Sequence, residues 1–194
     1  MTTIAVVRKG GVAAIAADTL TKWGSAKESA SYIVNNEKIL KLGNNHVAVT
    51  GNATFKMILK DYFLDQGSEI ELGSPEEIFK AWNKLHAVLK ERYFLMPEED
   101  KEDALESSRM DVLIANPHGI FGVSGHRTVQ EFSRFYAYGS GSDYALGALW
   151  ANYDRPGLSA VQIARRAIEA AADFDDGTGL PLQSFSVKLR GRKE

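Results

Sequence analysis

Apolar and polar residues alternate at the start of this chain, recur at helical spacing further on, and then repeat both patterns. Residues 4–8 and 12–18 read as two strands around Lys9-Gly10-Gly11, a good hairpin turn. The second holds Ala13, Ala14, Ile15, Ala16 and Ala17, a small-residue run expected where a strand packs closely on both faces. A loop is expected around Trp23, Gly24 and Ser25. Residues 38–42 and 46–50 predict two more strands around Gly43-Asn44-Asn45. The period then changes, and residues 53–65 and 75–94 predict helices. Ile78, Trp82, Leu85 and Leu89 make one stripe, read as core and not as a cofactor box. Ser74-Pro75-Glu76-Glu77 supplies an N-cap, a proline at N1 and an acidic first turn.

Residues 97–107 are acidic and lack hydrophobic period, which suits a solvated loop or a short surface helix. Strands resume at 111–115 and 119–123 through the turn Asn116-Pro117-His118, with short strands at 129–132 and 135–138. Helices are expected over 143–153 and 159–173, and a last strand over 184–189. The hairpins imply antiparallel sheets, and the grouped helices imply helical layers outside them. The order fits an α+β fold, a four-layer αββα sandwich of two antiparallel sheets between helix layers, in one globular domain spanning residues 1–194.

Composition narrows the function. The chain has 194 residues, 44% hydrophobic, enough for a sizeable core. Its 23 basic and 25 acidic side chains leave a net charge of −2, so nothing points to nucleic acid or an anionic membrane. Cysteine is absent, which excludes disulfides and thiolate metal sites and fits a reducing cytoplasm, the expected location. His46, His86, His118 and His126 show no metal-ligand spacing. No apolar run approaches the ~20 residues that cross a bilayer, and no basic stretch or apolar h-region suggests a signal peptide.

One chemical possibility stands at the start. If Met1 is removed, Thr2 carries a hydroxyl nucleophile and a free α-amine on one residue. The amine, with an unperturbed pKa of about 7.7–8.0, can take a proton near neutral pH. Nucleophile and base would then coincide, as in the threonine-plus-N-terminal-amine form of covalent catalysis.

Four anchors follow in order: Thr2-Thr3, the run from Gly11 to Ala17-Asp18, Lys38-Ile39 with Thr50-Gly51 after it, and Gly139-Ser140-Gly141 before a helix. Together they resemble the threonine peptidases among the N-terminal-nucleophile hydrolases: proteasome β subunits, HslV and related bacterial proteasome homologues. Asp18 follows Thr2 by 16 residues, the family's interval. The resemblance implies that Thr2 attacks the scissile carbonyl, that Lys38 lowers the cost of the alkoxide, and that Asp18 keeps Lys38 charged and oriented. It implies an oxyanion donor at the Asn52 N–H, with Gly51 giving close approach, and Thr50 near the pocket for the side chain preceding the cut. Ser140 would contact the nucleophile and its amine, though it also suits a helix N-cap. Asp173 is favoured over Asp176 as a further orienting carboxylate. A structural cation on the loop from Asp173 to Gly179 is possible on the family pattern, but no cofactor is required.

The chain departs from the family in several places. Asn52 replaces a usual glycine, and Lys22, beside Thr21, stands where a substrate-binding threonine is common. Asp176 stands where a serine is common, and the stretch from Asp18 to Lys38 is longer than in HslV. The resemblance implies a homo-oligomeric double ring of six or seven subunits per ring that takes unfolded polypeptide or peptide substrates. It also implies a possible ATPase unfoldase partner, since the chain has no Walker motif. The alternatives are a non-catalytic scaffold or gating subunit and a small-molecule amidase on the same fold. A phosphate-binding module on Gly139-Ser140-Gly141 is more distant.

Overall fold

Ile4 and Val6 point to one face of the first strand, Ala5 and Val7 to the other, and all four are fully buried. A strand covered on both faces belongs to an inner layer. The computed structural model describes residues 2–65, 70–96 and 104–191. The chain runs through β1 (Thr3–Lys9), β2 (Val12–Asp18), β3 (Thr21–Trp23), β4 (Ala26–Glu28), β5 (Ile39–Leu42) and β6 (Asn45–Val49). Helices α1 (Thr54–Asp65) and α2 (Pro75–Glu91) follow, then β7 (Val112–Asn116), β8 (Gly119–Val123), β9 (Val129–Phe132) and β10 (Phe135–Gly139). Helices α3 (Ser142–Tyr153) and α4 (Ala160–Phe174) lead to β11 (Leu182–Lys188).

The two larger sheets are antiparallel, one ordered β10-β1-β2-β11 and the other β5-β6-β7-β8-β9. Ile4, Val6, Ile15, Ala48, Leu113 and Ile120 fill the space between them. The opposite faces are covered by helices. Ala5, Ala14 and Ala16 meet Ala164, Ala167, Ile168 and Ala171 of α4, so small residues on both sides let the helix approach closely. On the other side Val47, Val112, Ile114 and Phe121 meet the α2 stripe of Ile78, Trp82, Leu85 and Leu89. The fold is the α+β, four-layer αββα sandwich that the pattern predicts.

Ser74 caps α2 by accepting the Glu77 N–H at 3.3 Å, with Pro75 in the first turn. That helix ends at Glu91, short of residue 94: the Arg92 N–H closes on Val88 O, and Phe94 turns into the left-handed region at φ +56°. The expected loop near Trp23 is the tip of a hairpin, β3–β4, turned by Gly24 at φ +57°. Its strands are polar and largely exposed, so they carry no apolar alternation. Within the acidic stretch, residues 97–103 lie outside the described residues, while Glu106 binds Lys90 at 2.7 Å. No helix among the described residues is long and apolar enough to cross a membrane.

Candidate active site

The beginning of β1, the end of β2, the approach to β5 and the turn after β6 bring the sequence anchors to one end of the sandwich. Antiparallel pairing sets Ile4 against Ala17 and Leu182 against Asp18, so Asp18 lies beside the start of β1. Its carboxylate is fully buried. Oδ1 accepts the Thr3 N–H at 3.1 Å and the Lys38 ammonium at 2.8 Å; Oδ2 accepts the Leu20 and Gly179 N–H groups, each at 3.1 Å. Lys38 also donates to Leu20 O at 2.5 Å. Burial disfavours both charges: it pushes the Asp18 carboxyl up and the Lys38 ammonium down, while their mutual attraction opposes both shifts. A lysine whose ammonium is disfavoured but still paired can help to stabilise a neighbouring oxyanion.

A second network fixes the backbone of Thr2. Its carbonyl accepts the Ser140 N–H at 3.0 Å. Gly139 must be glycine, because at φ +109° a Cβ there would lie 1.8 Å from Thr2 O. The buried Thr3 hydroxyl accepts the Gly141 N–H at 3.0 Å and meets the Thr178 hydroxyl at 2.6 Å. Thr178 donates to Asp175 Oδ2 at 2.5 Å, which commits its only hydroxyl proton and makes Thr3 the donor of the shared bond. Ser140 Oγ donates to the same Asp175 oxygen at 2.7 Å. Burial pushes the Asp175 carboxyl up, but bonds from Thr178, Ser140 and the Gly177 N–H, with the charge of Lys22, hold it below its usual range.

The carboxylate of this network is therefore Asp175, not Asp173, which lies exposed on the last turn of α4. The N-cap of α3 is Gly141, and the Ser140 side chain goes to Asp175 instead of capping. Asp176 pairs with Lys22, whose side chain is nearly buried. Two carbonyls of this loop are engaged: Gly179 O accepts the Thr19 N–H at 3.3 Å, and Asp175 O the Thr178 N–H at 3.2 Å. No cluster of three or more metal-ligating side chains occurs among the described residues.

Thr2 sits at the edge of a cleft of about 200 Å³ lined also by Thr21, Lys22, Lys38, Gly51 and Asn52. Gly51 holds the tight position, with φ +104° and room for no Cβ, which would lie 2.7 Å from Arg109 O. Asn52 is therefore spared the left-handed conformation. Its side chain accepts the Thr54 N–H at 2.9 Å, and no hydrogen bond among the described residues engages its own N–H. Thr50 is turned away: its N–H and hydroxyl both go to Asp111 O, at 2.8 and 3.3 Å, and Val49 and Ala53 line the cleft in its place. Sequence reasoning gave no role in this network or cleft to the side chains of Trp23, Lys56, Thr3, Thr178 and Asp175. For Asp175 the available signal was the aspartate-rich helix end Asp173-Phe174-Asp175-Asp176 before Gly177.

An αββα sandwich with a threonine beside its first inner strand defines the fold class of the N-terminal-nucleophile hydrolases. No protein-family model matches the chain. It is 31% identical to the ATP-dependent protease subunit HslV of Caldicellulosiruptor saccharolyticus, covering 89% of this chain and 90% of that one. It is 26% identical to a proteasome subunit beta of Nanoarchaeum equitans over 59% of this chain and 56% of the other. Among solved structures, Thiobacillus denitrificans BPH is 59% identical with a TM-score of 0.94, over 98% of this chain and all of that one. HslV of Trypanosoma brucei, at 21% identity and a TM-score of 0.69 over 96% of this chain and 99% of the other, shares the fold. The chain belongs to the HslV-like family of proteasome β-type protease subunits.

Proposed function

We propose that this chain is a threonine-type endopeptidase in which Thr2, once Met1 is removed, is the nucleophile. The observation that carries the reading is the placement of Thr2 on a cleft that also receives Lys38, itself held by a buried Asp18 at 2.8 Å. Thr2 Oγ bonds to the scissile carbonyl carbon as its proton passes to the Thr2 α-amine. The tetrahedral oxyanion takes the Asn52 N–H, and losing one such donor typically costs about 2.7–4 kcal/mol. Collapse breaks the C–N bond, the leaving amine takes the proton, and an acyl ester remains on Thr2. Water then attacks the ester with the α-amine again as base, releasing the carboxylic acid and the free hydroxyl. Lys38 stabilises the developing alkoxide, and Asp18 fixes Lys38. The Asp175–Thr178–Ser140 network holds the Thr2 backbone in place. The chemistry needs no cofactor or metal.

We further propose, as the family resemblance implies, that the chain assembles into stacked homo-oligomeric rings in the cytoplasm, encloses unfolded polypeptide, and works with a separate ATPase. Similarity to HslV over nine tenths of both chains supports the peptidase reading above the amidase and the inert ring subunit. Thiobacillus denitrificans BPH is solved in complex with epoxomicin, so that compound should bind in this cleft and compete with peptide substrates. Intact mass of the purified protein should show Met1 absent, and native mass should count the subunits. Thr2→Ala should abolish peptide hydrolysis without loss of assembly; full activity in that variant would overturn the mechanism.

A further inference from the structure

The lining of the cleft is electrically one-sided. Lys22, Lys38 and Lys56 all reach it, and among the described residues no aspartate or glutamate does. The three cations are not equivalent. Lys38 is matched by Asp18 at 2.8 Å, and Lys22 by Asp176. Lys56, projecting from the first turn of α1, donates to the carbonyl oxygen of Asn35, a neutral partner, and no carboxylate among the described residues forms an ion pair with it. Glu37 acts on it only through space, and Lys60 opposes even that. Partial burial pushes the Lys56 ammonium down from its usual range, and the more distant charge of Glu37 does not offset it. Leu20, Val49 and Ala53 supply an apolar wall beside these cations, and the volume of about 200 Å³ accommodates a carboxylate on a short methylene stem.

Resting on the peptidase reading of this cleft, we propose that it selects an acidic side chain, glutamate or aspartate, at the residue preceding the scissile bond, and that Lys56 is the residue that reads its charge. The arriving carboxylate supplies the ion-pair partner that Lys56 lacks, its methylenes lie against the apolar wall, and a cationic side chain is repelled by Lys56. An uncharged isostere such as glutamine fits the space but leaves Lys56 unmatched, so discrimination between glutamate and glutamine isolates the charge from the shape.

The test is a panel of acetylated tripeptides with an aminomethylcoumarin leaving group, differing only in a last residue of Glu, Gln, Leu or Lys. The assembled wild-type protein should cut the Glu member with a kcat/KM about tenfold above the Gln member, with Lys slowest. Lys56→Met should bring the Glu-to-Gln ratio to about one, and Lys56→Glu should favour the Lys member. Binding of the matching tripeptide amides to Thr2→Ala, followed by calorimetry, reads the same selection without the chemistry, and the Glu peptide should bind about tenfold tighter than the Gln peptide. Equal rates for Glu and Gln in the wild type, or equal affinities in Thr2→Ala, overturn the inference and leave the peptidase reading standing. Failure to cut any member, with the binding preference intact, refutes the role of Thr2 and supports the selection.

Discussion

Asp18 and Lys38 form a buried ion pair at 2.8 Å that ties the end of β2 in one sheet to the approach to β5 in the other. Neither partner can be removed without consequence, and the consequences differ. Asp18→Ala strands the ammonium and leaves the Thr3, Leu20 and Gly179 N–H groups without their acceptor. Breaking a buried pair this way should cost about 3–5 kcal/mol in urea unfolding. Lys38→Met should cost less, because Asp18 keeps three N–H donors and the methionine stem fills the same space. Both variants should lose peptide hydrolysis; wild-type rates in Lys38→Met would remove Lys38 from the mechanism.

Asp175 gathers two hydroxyl donors, Ser140 at 2.7 Å and Thr178 at 2.5 Å, whereas Asp173 is exposed. Asp175→Asn removes the charge and offers a competing donor, so Thr178 loses the acceptor that orders the Thr3 hydroxyl. Charge-assisted bonds of this kind are worth about 1.5–3 kcal/mol, so the rate should fall by one to two orders of magnitude. Asp173→Asn should match the wild type in rate and stability. Peptide hydrolysis by the two variants side by side decides which aspartate serves the site, and a loss confined to Asp173→Asn would reverse the assignment.

The contrast between these aspartates shows what was legible in the sequence. The layers were readable because each inner strand alternates apolar residues on two buried faces, as Ile4 and Val6 do against Ala5 and Val7. The α2 stripe and its Ser74 cap were readable for the same local reason. The β3–β4 hairpin was not, because Lys22, Lys27 and Glu28 bury no repeating apolar face. Thr2, Asp18 and Lys38, which the fold brings to one end of the sandwich, were singled out by order along the chain, but no periodicity specifies which carboxylate of Asp173, Asp175 and Asp176 turns inward at a helix end. The helix stops at Phe174, and the extended Asp175 that follows aims its side chain at Ser140. Thr50 failed as a cleft residue for a similar reason, since its side chain satisfies Asp111 O across the turn.

Gly51 should tolerate no side chain. A methyl group would sit 2.7 Å from Arg109 O, and the backbone lies at φ +104°. Gly51→Ala should therefore destabilise the fold by about 1–3 kcal/mol and displace the Asn52 N–H. The rate should fall about 10²–10³-fold, as when an oxyanion donor is lost. Gly10→Ala is the control: φ is +59°, but nothing lies within 4 Å of the added Cβ. It should cost about 1–2 kcal/mol of backbone strain and leave hydrolysis unchanged. Equal rate losses in both variants would show that strain, not the donor, accounts for the effect.

Two buried histidines should make stability fall with acid. His46 stacks on Phe185 at 5.1 Å, and its Nδ1 has no hydrogen-bond partner among the described residues. Burial and the nearby Lys41 push its pKa down, against a bond involving the Ala115 backbone. His86 bonds Ser108 at 2.9 Å and Glu106 at 3.1 Å. Burial pushes its pKa down, Arg127 and Lys90 act with burial, and Glu106 acts against it. In both cases the folded pKa lies below the unfolded value of about 6.5, so between the two values the unfolded chain binds more protons. Stability from these groups is full above about pH 6.5 and is lost as pH falls toward the folded values, with a slope of at most about 1.4 kcal/mol per pH unit for each histidine. Urea unfolding at pH 7.5, 6.5 and 5.5 (roughly the window above ordinary carboxylate titration) should show a plateau and then a decline. His46→Gln and His86→Gln should each make that decline shallower. A decline as steep in His46→Gln and His86→Gln as in the wild type would show that neither ring is held neutral by the fold.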